Sequence, residues 1–502
     1  MSALSRKFTA LAFPAVALWN FAACSADSTA IGPKPSGSGG AAVGAGGRSG
    51  VSGGVATGGS VSTTGGAAAT TGGAAATTGG AAATTGGAAA ATTGGAAATT
   101  GGASMGGAST VGGSGSGAAT GAAGSGGDSK CVLPNFPDAG SLKDLGIKLP
   151  DPFTFYDGTP VTTKAQWECR RKEILAMAAK YLYGPVPGDC DEVSGTVSGG
   201  TVSITCKVGT KSASFTTTIS GSGKSINVDL SSGILPQGKK LSLGSGNDAK
   251  IKTLYGISEV NPNIVNGWMI NRTMDVLEKN PTSGHDPKTI AVSGCSGCGK
   301  GAFLAGVFSR APIVVIVESG GGGGTSWRMT EWFRHGAGKS RWDCTDTPQG
   351  IDNLENDGIC GPWVTSAAQP FRSAPAKVNS LPFDQHMLLA TIAPRYLVHF
   401  TNNNGKGSWC HLAGTSEALA SWAAHSVYTA LGVPKNHSFE VYTGQHCSVG
   451  DTGIAAAMFK RALDGDMSAD TGKINIQDAR VQIPQAEWKG LFVDWKMDTV
   501  LQ

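Results

Sequence analysis

Large side chains are nearly missing from Ser28 to Asp128, where the 502-residue chain is almost entirely Gly, Ala, Ser and Thr. A segment with nothing bulky to bury cannot offset the entropy of ordering itself. The repeat TTGGAAA, in tandem between Thr63 and Gly102, also brings a glycine pair about every seven residues and so denies the segment a continuous helix. Residues 27–130 therefore read as a disordered, low-complexity tether. Concentrated charge is missing too. A formal net charge of +4, with lysine and arginine gathered into no cluster or stripe, gives no support to nucleic-acid binding. A long apolar run is likewise absent at the start of the chain. After Arg6 and Lys7, the hydrophobic stretch within residues 1–26 is broken by Pro14 and Asn20, too short to span a bilayer, and matches a secretory signal. FAAC, ending at Cys24, has the form of a lipoprotein acylation site, so a lipid anchor at Cys24 and plain cleavage near residue 26 are both open. Either route exports the protein, to an extracellular or cell-surface location.

No second linker interrupts residues 131–502, so they are expected to form one large domain. The chain holds eleven cysteines, which in an exported protein imply disulfides. With Cys24 removed or acylated ten remain, an even number.

The stretch SGCSGCGKGA, Ser293 to Ala302, admits three chemistries, and what each lacks decides between them. A phosphate-binding loop would need a hydroxyl after Lys300 to hold a magnesium ion, and Gly301 stands there. Export also takes the domain away from nucleoside triphosphates. Cys295 and Cys298 form a C-x-x-C pair of the redox type, since such pairs open helices whose macrodipole lowers a thiol pKa. As a zinc site the pair lacks a second C-x-x-C or H-x-x-x-H, and His446 with Cys447 is only a distant substitute. The third reading makes Ser296 a nucleophile on a sharp turn between the buried strand TIAVSG and the helix GKGAFLAGVF. Such a turn exposes the hydroxyl and aims helix N-terminal amides at a developing oxyanion. The motif G-x-S-x-G is incomplete, because Cys298 occupies the second glycine position.

Support for the serine comes from the residues downstream. An α/β-hydrolase places an acid and then a histidine after the nucleophile, each at a strand end. Glu318 ends the apolar strand PIVVIVES and precedes a run of glycines, and His446 follows the late strand SFEVYTGQ. Each residue alone has an ordinary structural explanation: a salt-bridged carboxylate for Glu318, a loop histidine for His446. Their order and positions together favour a triad.

These residues resemble the glucuronoyl methylesterase family, carbohydrate esterase family 15. The similarity runs through KLPDPFTFYDGTPVTTKAQWECRRKEI (Lys148 to Ile174), GCSGCGKGA, ESGGGGG, LPFDQHMLLATIAPRYLV, VYTALGVPKN and GQHC, and so covers essentially all of Cys131 to Gln502. It implies an α/β-hydrolase three-layer sandwich with a central, mostly parallel sheet. It also implies a serine esterase that cleaves esters between glucuronic acid of glucuronoxylan and lignin alcohols, as a monomer, with no cofactor and no metal. By resemblance, Ser296 is the nucleophile, Glu318 the acid and His446 the base. Lys300 matches a lysine that contacts the uronate, and its i, i+4 spacing from Ser296 places it on the serine's face of the helix. Trp409 matches a tryptophan that packs on the sugar, and Glu355 a substrate-contacting glutamate, in a loop that departs from the family pattern. The resemblance pairs Cys131 with Cys169 and Cys295 with Cys447. Ser326 and Ala420 replace another family disulfide, and Cys298, Cys344, Cys360 and Cys410 are additional. The family usually reads G-C-S-R, with its arginine serving the oxyanion; here Gly297 takes that place. Two alternatives stay open at this level: an esterase for a different acyl group, and a uronate- or xylan-binding protein impaired in catalysis.

Overall fold

The structure, a computed structural model, describes residues 131–231, 234–354, 360–402, 410–442, 445–447, 449, 453–476 and 481–502. The signal segment, the tether and Cys24, as well as Glu355 and Trp409, lie outside the described residues.

Among the described residues ten strands form one sheet: β1 (Glu192–Ser198), β2 (Thr201–Val208), β3 (Lys211–Ser220), β4 (Ile226–Asp229), β5 (Lys239–Ser242), β6 (Ile290–Cys295), β7 (Ile313–Val317), β8 (Tyr396–Asn402), β9 (His437–Tyr442) and β10 (Ile474–Asn475). Their order across the sheet is β1-β2-β3-β5-β4-β6-β7-β8-β9-β10. Pairing is antiparallel from β1 to β5 and parallel from β5 through β10. The principal helices are α1 (Lys164–Ala178), α2 (Asn247–Tyr255), α3 (Pro262–Lys279), α4 (Ser296–Val307), α5 (Trp327–His335), α6 (Gln369–Arg372), α7 (Gln385–Ala390), α8 (Gly414–Ala430) and α9 (Gly453–Asp464).

Sequence chemistry explains both halves of the sheet. Strands β2 and β3 alternate buried and exposed side chains, with Val202, Ile204, Cys206, Phe215 and Ile219 turned inward, as antiparallel strands with one wet face do. Every residue of β6 and β7 is buried, because helices cover both faces there. Val292, Val314, Ile316 and Leu397 join the core that contains Ile264 of α3, Phe303 of α4 and Leu419 of α8. Their neighbours Ala291, Ile313, Val315, Val398 and Phe400 point the other way, into a separate cluster with Met458 and Phe459 of α9. The period-two alternation of one apolar run thus fills two cores and produces three layers.

Helix starts follow local rules. Thr163 and Gln166 close a reciprocal capping box at α1, and Asn261 caps α3 with Pro262 in its first turn. Cys131 and Cys169 are bonded, tying the start of the described chain to α1, and Cys190–Cys206 fastens the loop before β1 to β2. Among the described residues no helix is long and apolar enough to cross a membrane.

Candidate active site

Parallel strands bring their carboxyl ends to one edge of a sheet, and the crevice beyond that edge is where open α/β sheets bind ligands. Ser296 follows β6 directly, Glu318 follows β7, and His446 lies four residues past β9. Residues 128 positions apart, Glu318 and His446, are hydrogen-bonded to each other.

Ser296 opens α4 with φ of +58°, a left-handed backbone that serine rarely adopts. Its neighbours enforce the turn. A Cβ on Gly294 would lie 2.0 Å from the Cys298 carbonyl oxygen, and one on Gly299 would lie 2.5 Å from that of Val317. Gly299, one position later than in G-x-S-x-G, therefore permits the close approach of helix to strand. That arrangement frees position 298 for a cysteine.

Glu318 is 2% exposed, with φ of +45°, and its amide extends the ladder by donating to Phe400 O at 2.8 Å. Its Oε2 pairs with His446 Nδ1, while Oε1 accepts from the Tyr442 hydroxyl and, at 3.3 Å, from the Cys447 amide. An ionised carboxylate can only accept, so Nδ1 carries the shared proton and Nε2 is the basic nitrogen of the ring. Burial pushes the Glu318 carboxyl above its ordinary pKa, and the bond and charge of His446 oppose that push. Cys447 is bonded to Cys295, the residue before the serine, with Cα atoms 5.7 Å apart. This bond joins the serine turn to the histidine loop. It also answers the metal alternative: Cys295, His446 and Cys447 place candidate ligand atoms within 4.8 Å of one another, yet the two sulfurs are spent on each other and supply no thiolate.

Residues 236–432 match the family described as "Glucuronyl esterase, fungi". The 4-O-methyl-glucuronoyl methylesterase of Schizophyllum commune is 32% identical over 382 residues, spanning 70% of this chain and 91% of that protein. The chain belongs to the glucuronoyl esterase family. It is accordingly a carboxylic ester hydrolase. Solved structures agree in fold: the glucuronoyl esterase catalytic domain from Hypocrea jecorina gives a TM-score of 0.60 at 28% identity, covering 73% of this chain and 100% of that one. A glucuronoyl esterase variant from Sporotrichum thermophile, solved in complex with methyl 4-O-methyl-beta-D-glucopyranuronate, gives 0.56 at 28% identity, covering 69% and 97%.

Within this glucuronoyl esterase fold, Lys300 sits one helical turn beyond Ser296 but is no surface residue. It is 2% exposed, with its ammonium 4.7 Å from the centre of the Trp363 ring. Burial pushes its pKa down to about 8, against the pull of the Glu417 carboxylate. Trp363 is itself fixed, donating its indole N–H to Gly297 O at 2.9 Å. The corner before it is bonded through Cys360 to Cys298, and the Asn263 amide donates to Cys360 O at 2.9 Å. Cys344 is bonded to Cys410. The C-x-x-C cysteines thus find separate partners, which removes the redox reading. Gly297 lies in the first turn of α4 with φ outside the left-handed region, so its backbone suits any residue.

Sequence reasoning did not single out Tyr442 or Trp363. Tyr442, as the last residue of the strand before His446, carried a usable signal; Trp363 carried none, because only the fold brings it to Lys300.

Proposed function

We propose that this glucuronoyl esterase hydrolyses the ester between 4-O-methyl-glucuronic acid of glucuronoxylan and lignin alcohols, with Ser296, His446 and Glu318 as its catalytic triad. The observation that carries the reading is the Glu318 carboxylate held on His446 Nδ1, with the next residue, Cys447, bonded to the cysteine that precedes Ser296 on its strained turn. Ser296 Oγ attacks the uronate carbonyl as His446 Nε2 removes its proton, and Glu318 stabilises the imidazolium. His446 then protonates the departing alcohol. Water, deprotonated by the same nitrogen, cleaves the acyl-enzyme and releases the uronic acid. The oxyanion is met by amides at the start of α4, that of Gly297 among them. Lys300 binds sugar oxygens; Trp409 and Glu355 complete the substrate contacts by their match to the family. The triad comes from one chain, which suits a monomer. The N-terminal signal suits a secreted protein whose tether lets the domain reach an insoluble polymer.

A second reading, a uronate-binding protein with impaired catalysis, is favoured by one observation, glycine at position 297. Release of alcohol from a methyl glucuronate ester separates the two, and a panel adding acetyl and feruloyl esters identifies the acyl group. Turnover confined to the acetyl or feruloyl substrates would refute the proposed function.

A further inference from the structure

Beneath the acid of the triad lies a second buried carboxylate that the reaction does not use. Glu417, on α8, is fully buried. Its Oε1 accepts from the Ser319 hydroxyl at 2.6 Å and from the Gly320 amide at 2.8 Å, and its Oε2 accepts from the Thr401 hydroxyl. Ser319 and Gly320 are the two residues that follow Glu318. Ser319 Oγ also accepts from the Gly324 amide at 2.8 Å, so the entire glycine turn is gathered around this one side chain. His399 Nε2 approaches Oε1 to 3.5 Å, and its Nδ1 is 2.6 Å from the Ser421 hydroxyl. The stem of Lys300 packs against the same turn, where a Cβ on Gly322 would be 3.5 Å from its Cδ.

We infer that Glu417 is a positioning residue of this active site: its hydrogen bonds hold the turn that carries Glu318, and its charge favours the ammonium form of Lys300, whose stem packs on that same turn. A left-handed glutamate at +45° needs surroundings that over-determine it, and two donors on one carboxylate immediately after it provide them. The charge has a separate effect. Burial raises the Glu417 carboxyl, but His399 and the hydroxyls of Ser319 and Thr401 outweigh it and leave the group below its ordinary pKa. An anion is thereby kept among Lys300, Glu318 and His399. It favours the ammonium of Lys300 and disfavours ionisation of Glu318. Among the described residues, Trp363 and His411 also act on or feel Lys300, while His446, Tyr442 and the Cys447 amide face Glu318.

The inference rests on the uronate-ester reading only where Lys300 meets substrate, so its test begins without substrate. In the full chain labelled with 13C at lysine Cε, the Lys300 signal is assigned by its loss in Lys300→Met and titrated by NMR. In Glu417→Gln it should titrate about one unit below the wild-type value near 8, cutting the charged fraction at pH 8 about fivefold and raising KM for a methyl glucuronate ester there in proportion. Glu417→Asp, which keeps the charge, should return the titration toward wild type. Ser319→Ala removes two hydrogen bonds of this turn, to Glu417 and from the Gly324 amide, but no charge. It should lower kcat about tenfold and leave the Lys300 titration unmoved, and it carries the test if Glu417→Gln does not fold. An unshifted Lys300 signal in folded Glu417→Gln, or unchanged kcat in Ser319→Ala, overturns the inference. A shifted signal in a protein with no turnover of the ester leaves the inference standing and refutes the functional reading instead.

Discussion

Removing the Cys295–Cys447 bond should cost this enzyme both stability and rate, by mechanisms that can be read separately. The bond closes a direct loop of 152 residues, but the Cys298–Cys360 and Cys344–Cys410 bonds shorten that loop to roughly sixty residues by way of the crosslinks. Loop-closure entropy for that length corresponds to about 4 kcal/mol of stabilisation, a large share of the 5–15 kcal/mol that holds a typical domain together. For a domain of this size the double variant Cys295→Ala/Cys447→Ala should melt about 5 °C lower. The kinetic effect has a different origin. Cys447 donates its amide to Glu318 and adjoins His446, while Cys295 adjoins Ser296, so the bond links the two halves of the proposed triad. A displacement of about 1 Å between nucleophile and base can cost up to 10²-fold in rate. Assayed at 25 °C, well below its melting point, the double variant should lose about 10- to 10²-fold in kcat on a methyl glucuronate ester while KM changes little. A variant that melts lower yet keeps wild-type kcat would show that the bond is a staple and nothing more.

Ser296→Ala and His446→Ala should each abolish most turnover, and combining them should add little, because the residues act as one unit; additive losses would break the triad assignment. Gly297→Arg tests whether a cation beside the nucleophile is missing. Gly297 is not among the positive-φ glycines, so its backbone does not itself bar a side chain, and in the folded variant kcat should rise, by up to about 10²-fold, with KM nearly unchanged. An unchanged kcat in the folded variant would mean that the oxyanion is already stabilised by other groups, or that uronate esters are not the substrate. Lys300 gives a pH signature. Its folded pKa of about 8 lies below the unfolded value, so the ammonium and the substrate affinity it provides fade above pH 8, where KM should climb. Between about pH 8 and 10.5 the unfolded chain holds a proton that the folded one has lost, so this residue's contribution to stability becomes more favourable as pH rises across that window. Lys300→Met should therefore melt higher at pH 7 while binding substrate more weakly; a lower melting point would contradict the burial penalty.

The residues of the proposed triad could be picked out in the sequence because Ser296 and Glu318 directly follow apolar strands and His446 comes four residues after one, and strand ends converge wherever neighbouring strands run parallel. The buried strands were readable for a related reason, since unbroken runs such as IVVIV have no polar face to offer water. What escaped was whatever depends on how distant segments meet. Position 298 looked like a defect in a glycine motif, yet Gly299 meets the strand, and Cys298 is turned to bond Cys360. Lys300 follows Ser296 by one helical turn, but helical spacing cannot report burial: its surroundings come from Trp363 and from Glu417, 63 and 117 residues later in the chain.

The same two partners explain why a lysine survives so deep. An isolated ammonium would lose its proton on burial. Here an aromatic face meets it and a buried carboxylate pulls against its desolvation, so a charge is retained at a pKa of about 8, near enough to neutral pH to be lost by a small change. Position 297, next to Ser296, is glycine and carries no charge. Lys300 is the cation proposed to bind substrate, and the alkaline limit of the enzyme should follow it: raising the Lys300 pKa by introducing a second carboxylate nearby should move the rise in KM to higher pH, and a limit that stays fixed would assign the alkaline limb to another group.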